Sequence, residues 1–401
     1  MSDSNQLHPK TIAQAEMRNI NRSAVLEYLR LVKTASRTEI ADRLKISLPS
    51  IARIIEQLIK SGLVRSTGQK ERSRGRGRDM LELNVAENLV IGIDLGGSHI
   101  SGALVNLGGG ILHGFRDSFD WGSGEENYQE LAGFLQTILA QTKEQHSRLL
   151  GIAIGVPGIM DSRTGIVRLA PALAWNDFPL LQRLEQITDV PIYLENDVNL
   201  ATLGEHWFGA GQGVRDLVMI AIGTGIGAGI ILDGKLHRGH AEASGEIGYI
   251  LPGVQFLDNQ YPGFGALESV ASGKGIAEQA AKKWSGLYGA QKMPEMEAAN
   301  VFQAALEGQG WAVQIVAETV DYLSLALANV IVCLDPELVI LGGGISGSAG
   351  MLIEPIRKRL TGVIPRLPRI EESSLNDQAA ILGAVVRVFQ KYTDYSVVNN
   401  G

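Results

Sequence analysis

The spacing of apolar residues changes character along the chain, and the front end is helical. Over residues 22–33, Val25, Leu26, Leu29 and Val32 recur at the three–four spacing of a helix with one buried face. A second stretch opens at Ser36 with Glu39 three residues on, the spacing of a capping box, and turns Ile40, Ala41 and Leu44 inward. A short turn at Lys45 and Ile46 leads to Ser47, which suits an N-cap. The third helix then places Leu48, Ile51, Ile54, Ile55, Leu58 and Ile59 on its inner face and stops at Ser61 and Gly62. Its other face carries Ser50, Arg53, Gln57 and Lys60, small, polar or cationic groups of the kind that reach base edges and phosphates in a major groove. Residues 63–66 form a strand, and Leu81, Leu83 and Val85 alternate with polar residues to form its partner. Between them Arg72, Arg74, Arg76 and Arg78 alternate with small residues, as expected of a wing laid along phosphates or into a minor groove. A basic linker is the plainer reading of that stretch.

From residue 89 onward the pattern becomes continuous apolar runs that end in glycine. Residues 89–95 form a buried strand bearing Asp94, followed by Gly96, Gly97 and Ser98 and by a returning strand over 100–105. Residues 217–222 run into Gly223, Thr224 and Gly225, and the pair continues over 230–232. Residues 338–341 run into Gly342, Gly343 and Gly344 ahead of a helical stretch. Glycine at strand ends lets backbone N–H groups approach phosphate oxygens closely, although a tight hairpin alone would also explain each turn. Neither a GxxxxGK[ST] loop nor a GxGxxG opening a helix occurs.

Two further strand ends carry groups suited to a polyol. Residues 152–156 lead to Pro157 and Gly158, and residues 191–194 lead to Glu195, Asn196 and Asp197 at the start of a helix over 200–207. A carboxylate there can accept a hydroxyl proton, while Asn-Asp at a helix start is equally an N-cap.

Charge sharpens the division. The 401-residue chain has a net charge of −7, yet residues 1–80 hold 16 Lys and Arg against 8 Asp and Glu. The remaining residues hold 20 against 35. A basic front on an acidic body assigns contact with a polyanion to the front alone. Without a run of eighteen apolar residues or an apolar leader, no membrane span and no secretion are expected. The single cysteine, Cys333, lies in an apolar run and is expected to be buried.

These motifs together resemble the ROK family of repressors and sugar kinases over nearly the whole chain. The resemblance implies an α/β fold: an N-terminal winged helix-turn-helix over 1–85, then a two-lobed actin/hexokinase-like ATPase domain. Its first lobe would span 86–196 plus 377–401 and its second 197–376. It implies a nucleotide site at Asp94, Gly96, Gly97, Ser98, Gly223, Thr224, Gly225, Gly343 and Gly344. It also implies a sugar site at Gly158, Asn196, Asp197, Glu246, Tyr249 and Glu268, with Asp197 as the base if the chain phosphorylates sugar.

The chain departs from the family in three places. Family members hold structural zinc through one histidine and three cysteines, and the matching positions here are Tyr249, Asn259, Tyr261 and Ala266. None is a thiolate or an imidazole, so zinc is expected to be absent. Packing by Tyr249, Phe256, Tyr261 and Phe264 would brace the loop instead. His99 stands where the kinases have lysine, and Asp79 follows Gly77-Arg78 where the repressors have proline.

The expectation is a cytoplasmic, nucleoid-associated regulator, a homodimer or tetramer, that binds operator DNA and a sugar or sugar derivative. It would need no cofactor for regulation. The alternative is an ATP- and magnesium-dependent sugar kinase with an accessory DNA-binding domain.

Overall fold

The computed structural model describes residues 9–71, 78–97, 99–118, 122–144, 148–261, 263–288, 296–344 and 349–392. The front end is α1 (Pro9–Val32), β1 (Thr34–Ser36), α2 (Arg37–Leu44), α3 (Leu48–Lys60), β2 (Val64–Glu71) and β3 (Arg78–Leu83). Ser36 caps α2 with the full capping box: its side chain accepts from the Glu39 N–H, and Glu39 accepts from the Ser36 N–H at 2.7 Å. Lys45 takes a left-handed conformation and turns the chain between α2 and α3. The wing strands reach further into the tip than the apolar alternation marks. A short third strand joins them in the order β1-β3-β2.

Several inward expectations need correction. Leu48 and Ile59 are exposed, and the buried stripe of α3 is Ile51, Ile54, Ile55 and Leu58. At 100° per residue, Leu48 and Ile59 fall together on the edge of that stripe. Val32, the last residue of α1, is exposed too. Ser47 makes no side-chain cap bond; Pro49 in the first turn lessens the need, since it brings no N–H to satisfy.

The body repeats one strand plan. The first lobe has β4 (Asn88–Leu95), β5 (His99–Asn106), β6 (Ile111–Ser118), α4 (Gly124–Thr142) and β7 (Arg148–Val156). It continues through a small sheet of β8 (Ile159–Asp161), β9 (Ile166–Ala170) and β10 (Trp175–Phe178), then α5 (Leu180–Leu184) and β11 (Ile192–Asn196). The main sheet runs β11-β7-β4-β5-β6. After α6 (Asp197–Phe208), the second lobe has β12 (Leu217–Ile222), β13 (Ile226–Leu232) and β14 (Lys235–Leu236). Next come α7 (Glu268–Ala271), α8 (Gly273–Tyr288), α9 (Ala298–Leu306) and α10 (Gly310–Leu334). Last are β15 (Leu338–Gly342), α11 (Ala349–Leu360), β16 (Arg369–Glu372) and α12 (Ala379–Tyr392). The second sheet runs β14-β13-β12-β15-β16. In each sheet the first strand is central. On one side of it the two successive strand pairings are antiparallel, and on the other both are parallel.

Helices α6 and α12 cross between the sheets with their backbones in contact. A Cβ at Gly383 would sit 1.7 Å from the Leu200 carbonyl, and one at Gly204 would sit 2.0 Å from that of Ala379. Glu205 of α6 fixes the crossover into α12: its carboxylate accepts from Ser373 Oγ (2.6 Å), Ser374 Oγ (3.0 Å), and the N–H groups of Leu375 and Ala210 (both 2.8 Å).

Helix α10 is long and apolar enough to cross a membrane, but more than half of its most apolar stretch is buried within the second lobe. Cys333 corrects the sequence expectation. It lies in the last turn of α10 beside exposed Val332, and the thiol faces solvent. The apolar run around it is a helix end followed by a strand, so part of it points outward.

Candidate functional site

The cleft is built from strand ends. β4, β7 and β11 are parallel neighbours, with Asp94, Gly155 and Glu195 in register across them. Asp94 and Asp197 flank Gly155: a Cβ there would lie 3.2 Å from both Asp94 Oδ1 and the Asp197 Cα. Gly158 has a φ of +101°, and a Cβ on it would meet the Leu169 carbonyl at 2.2 Å, so this turn requires glycine. Asn196 does two jobs in the scaffold. Its Nδ2 donates to the Gly158 carbonyl at 3.1 Å, and its Oδ1 accepts from the Asn199 N–H at 3.0 Å as the N-cap of α6. Asp197 stands in the first turn, where its Oδ1 accepts from the Val198 N–H at 2.9 Å.

The second lobe supplies the facing wall. Glu268, at the start of α7, accepts from the Ile226 N–H through Oε1 and from the Gly265 N–H through Oε2, both at 2.7 Å. Those two bonds make it a brace between the Gly223–Gly225 turn and the loop before α7. Glu246 is partly buried nearby, and Tyr249 is half exposed.

The acids crowd one another. Burial, then Asp197 and Asp377, push the Asp94 carboxyl up to about 8. Burial raises Asp197 to about 6 despite its backbone hydrogen bonds. Burial, then Asp197 and Glu268, raise Glu246 to about 7. Burial followed by Glu246 and Glu268 also lifts the Tyr249 phenol. Such a cleft holds acceptors and partly protonated acids side by side, which suits a neutral ligand rich in hydroxyls.

The glycine turns converge from both lobes. A Cβ at Gly97 would lie 2.4 Å from Thr224 Oγ1, and one at Gly223 would lie 3.7 Å from the Gly344 nitrogen. The Gly96 N–H donates to the His99 carbonyl and the Gly223 N–H to that of Gly225, both at 2.9 Å, so these two amides serve their own turns. Burial, then Arg116, hold His99 below its ordinary value against the pull of Asp377. Ser98 lies outside the described residues.

The positions matching the family's zinc ligands do not fit zinc. Tyr249, Asn259, Tyr261 and Ala266 offer phenols, an amide and a methyl group. Among the described residues no group of three or more His, Cys, Asp or Glu side chains is placed to hold a metal. Phe256 stacks on Tyr261 at 6.4 Å and meets Tyr322 edge-on at 5.9 Å. Asn259 Nδ2 donates to Tyr261 Oη at 3.3 Å, which in turn donates to the Phe256 carbonyl at 3.4 Å. Lys274 lies 4.1 Å over the Phe264 ring.

On the front end, Ser50, Arg53, Gln57 and Lys60 are all exposed along one side of α3. Ser47 Oγ and Ser50 Oγ are hydrogen-bonded at 2.9 Å. Arg72, Arg74 and Arg76 lie outside the described residues, as does the side chain of Arg78. Asp79, the residue that departs from the family pattern, ties the wing strands together and to α2: it accepts from Ser66 Oγ and pairs with Arg37 at 3.5 Å.

Sequence reasoning passed over two charged clusters. Glu195 is buried and takes Arg238 at 2.6 Å and Arg387 at 3.4 Å. Burial opposes its charge, but Arg238 and Arg387 win and hold it below the ordinary value. Glu242, in the same loop as Arg238, accepts from the Ser162 N–H at 2.9 Å. Both contacts tie the second lobe's loop to the first lobe, and charged residues just ahead of Gly245-Glu246 were the available signal. The other cluster is the four-bond Glu205 crossover, signalled by an acid next to Gly204 in a helical stretch.

Comparison with known proteins agrees with this geometry. The model for the ROK family matches residues 90–391, and that for winged helix-turn-helix DNA-binding domains matches residues 18–65. The xylose repressor of Caldicellulosiruptor bescii is 30% identical over 392 residues, covering 93% of this chain and 96% of that protein. A crystal structure of a ROK family transcriptional regulator, a homologue of the E. coli MLC protein, superposes with a TM-score of 0.82 at 26% identity. It covers 94% of this chain and 98% of the other. A ROK family glucokinase from Streptomyces griseus, solved with glucose and AMPPNP, superposes with a TM-score of 0.65 at 28% identity, over 75% of this chain and 99% of its own. The shared two-lobed plan, the acids at its strand ends and the DNA-reading helix ahead of them place this chain in the ROK family, as a member with an N-terminal winged helix-turn-helix.

Proposed function

We propose that the chain is a sugar-responsive transcriptional repressor that binds operator DNA through α3 and the wing and a sugar or sugar derivative in the cleft. One observation carries this reading: a single chain joins an exposed polar recognition face on α3 to a cleft lined by Asp197, Glu246 and the Gly158 turn. The similarity to a xylose repressor over nearly its full length supports it. The ligand's hydroxyls would donate to Asp197 and Glu246, with Asn196 and Tyr249 flanking. The regulator would act in the cytoplasm at the nucleoid as a homodimer or tetramer, whose paired α3 helices enter half-sites about 34 Å apart. It needs neither zinc nor another cofactor in this reading. Operator fragments selected from random DNA, assayed by mobility shift with D-xylose, D-glucose and amino sugars, test it. Failure to retain DNA at any salt concentration would sink it, and stoichiometric zinc in the purified protein would sink the zinc-free claim.

A sugar kinase remains the second reading, because a carboxyl at about 6 on Asp197 is tuned for general-base work. ATP and magnesium would then lie among Asp94, Gly96–Gly97, Gly223–Gly225 and Gly343–Gly344. Against transfer stands His99, whose charge burial disfavours, where the kinases carry a cation. Hexose-dependent ATP turnover abolished by Asp197→Asn would establish the kinase.

A further inference from the structure

The elements that build the cleft run the length of the first lobe, and their far ends grip the DNA-binding domain. Helix α6 begins at Asn196 and Asp197 in the site. At its other end, about 18 Å away for twelve residues, the Trp207 carbonyl accepts from Arg30 of α1 at 3.3 Å. The Arg30 guanidinium also lies 4.7 Å over the Trp207 ring and is held by Glu27 at 2.6 Å. Strand β7 ends at the Gly158 turn, and Arg148 at its start donates to the Ser61 carbonyl, the C-cap of α3. Strand β4 carries Asp94 one residue before its end. Asn88 at its start donates to the Gly62 carbonyl at 2.9 Å, with Asn84 donating to the same oxygen at 3.1 Å. Three elements thus have one end in the cleft and the other on α1 or the end of α3.

The elements are stiff. β4 and β7 lie inside a five-stranded sheet, and α6 is locked to α12 at the Gly204–Gly383 crossing. Phe389 of α12 packs edge-on to Trp207 at 5.7 Å, and the Tyr392 ring lies 5.2 Å under Arg148. Glu205 also joins α6 to the crossover from the second lobe at residues 373–375, less than one turn from Trp207. A packed interface of this kind switches between discrete arrangements and does not bend continuously.

We propose that sugar occupancy is conveyed to the recognition helix through these two grips, Arg30 on the end of α6 and Ser61–Gly62 on the starts of β4 and β7. The inference rests on the reading of the chain as a sugar-responsive repressor and names the residues that couple its two sites. Arg30 and Arg148 are positioning residues that touch neither sugar nor DNA.

The test compares full-length wild type with Arg30→Gln, Arg30→Lys and the Arg30→Gln/Arg148→Gln pair, by anisotropy on the selected operator. D-Xylose and D-glucose are the probes, with sugar affinity measured by calorimetry. Wild type should change its operator Kd by about tenfold with the effective probe, and Arg30→Gln should cut that change to under about threefold. Arg30→Gln should keep its sugar affinity within about twofold, as expected for a residue remote from the cleft. Arg30→Lys, which keeps a donor and a cation over the ring, should recover part of the response. Hydrogen exchange at residues 25–32 and 61–63 should respond to sugar in wild type and lose that response in the pair. A full response in the pair, with sugar bound, overturns the relay alone. A wild type that binds both operator and probe without any coupling overturns the sugar-responsive reading and the relay with it.

Discussion

The two lobes use the same five-strand plan, yet their first hairpins end in different chemistry. In the first lobe the β4–β5 turn follows Asp94, a carboxyl burial pushes to about 8. In the second, the β12–β13 turn holds Thr224 between glycines, and its neighbouring acid, Glu268, is tied down by two backbone amides. The lobes also differ in how they are closed. Helix α12 seals the first through a glycine-to-glycine crossing with α6, whereas α8, α9, α10 and α11 cover the second with ordinary side-chain packing. A repeated fold supplies two frames, and the residues at the strand ends give each frame its own chemistry.

The largest effect is expected where the closure is tightest. Gly383→Val forces a branched side chain into the Leu200 carbonyl and should cost about 3 kcal/mol, read from the urea midpoint. An unchanged midpoint would mean that the crossing is looser than described. Next comes the ligand wall. Asp197→Asn should weaken sugar binding by about 2 kcal/mol, because a charged acceptor is lost. Thr224→Ala should stay within about 0.5 kcal/mol, as for a group that contributes no bond to the sugar. Equal losses in calorimetry would erase the distinction between the Asp197 wall and the Thr224 turn.

A smaller effect follows from the acids. Asp94, Asp197 and Glu246 hold protons in the folded state to higher pH than in the unfolded chain. The native state is therefore favoured at low pH and loses that advantage as pH rises through about 6 for Asp197, 7 for Glu246 and 8 for Asp94. The melting temperature of sugar-free protein should fall between pH 5 and 8, and Asp94→Asn should flatten the upper part of that fall. A profile that rises over this window would contradict the burial assigned to the three groups. A small effect of the other sign belongs to exposed Gly286 in α8, where a Cβ meets nothing within 4 Å. Gly286→Ala should stabilise by about 0.5–1 kcal/mol, opposite in sign to Gly383→Val.

The glycine-ended strands were legible because buried parallel strands read as unbroken apolar runs, and residues 217–222 were bounded without error as β12. The capping box at Ser36 and Glu39 was legible because it is a local device. Leu48 and Ile59 misled because helical spacing locates a stripe, while its edges are set by neighbours distant in sequence; Cys333 misled because an apolar run does not show which of its residues face outward. Asn196 showed both of its readings at once, as cap of α6 and as partner of the Gly158 carbonyl. Glu195 with Arg238 and Arg387, and Arg30 with Trp207, were invisible for a different reason: each joins residues far apart in the chain, and nothing local marks an arginine that will be buried.

Helix α12 closes the first lobe, although it follows the whole second lobe in the chain. Ile381 packs against the backbone of Gly92, and Val388 against Gly151. A nascent chain that has already emerged through β16 therefore still carries an unsealed first sheet, with Val90 and Ala153 facing open space. The helix-turn-helix can form early during synthesis, but the surface it docks on is completed last. A ribosome stalled before Ala379 would hold out a DNA-reading head with no finished body to govern it.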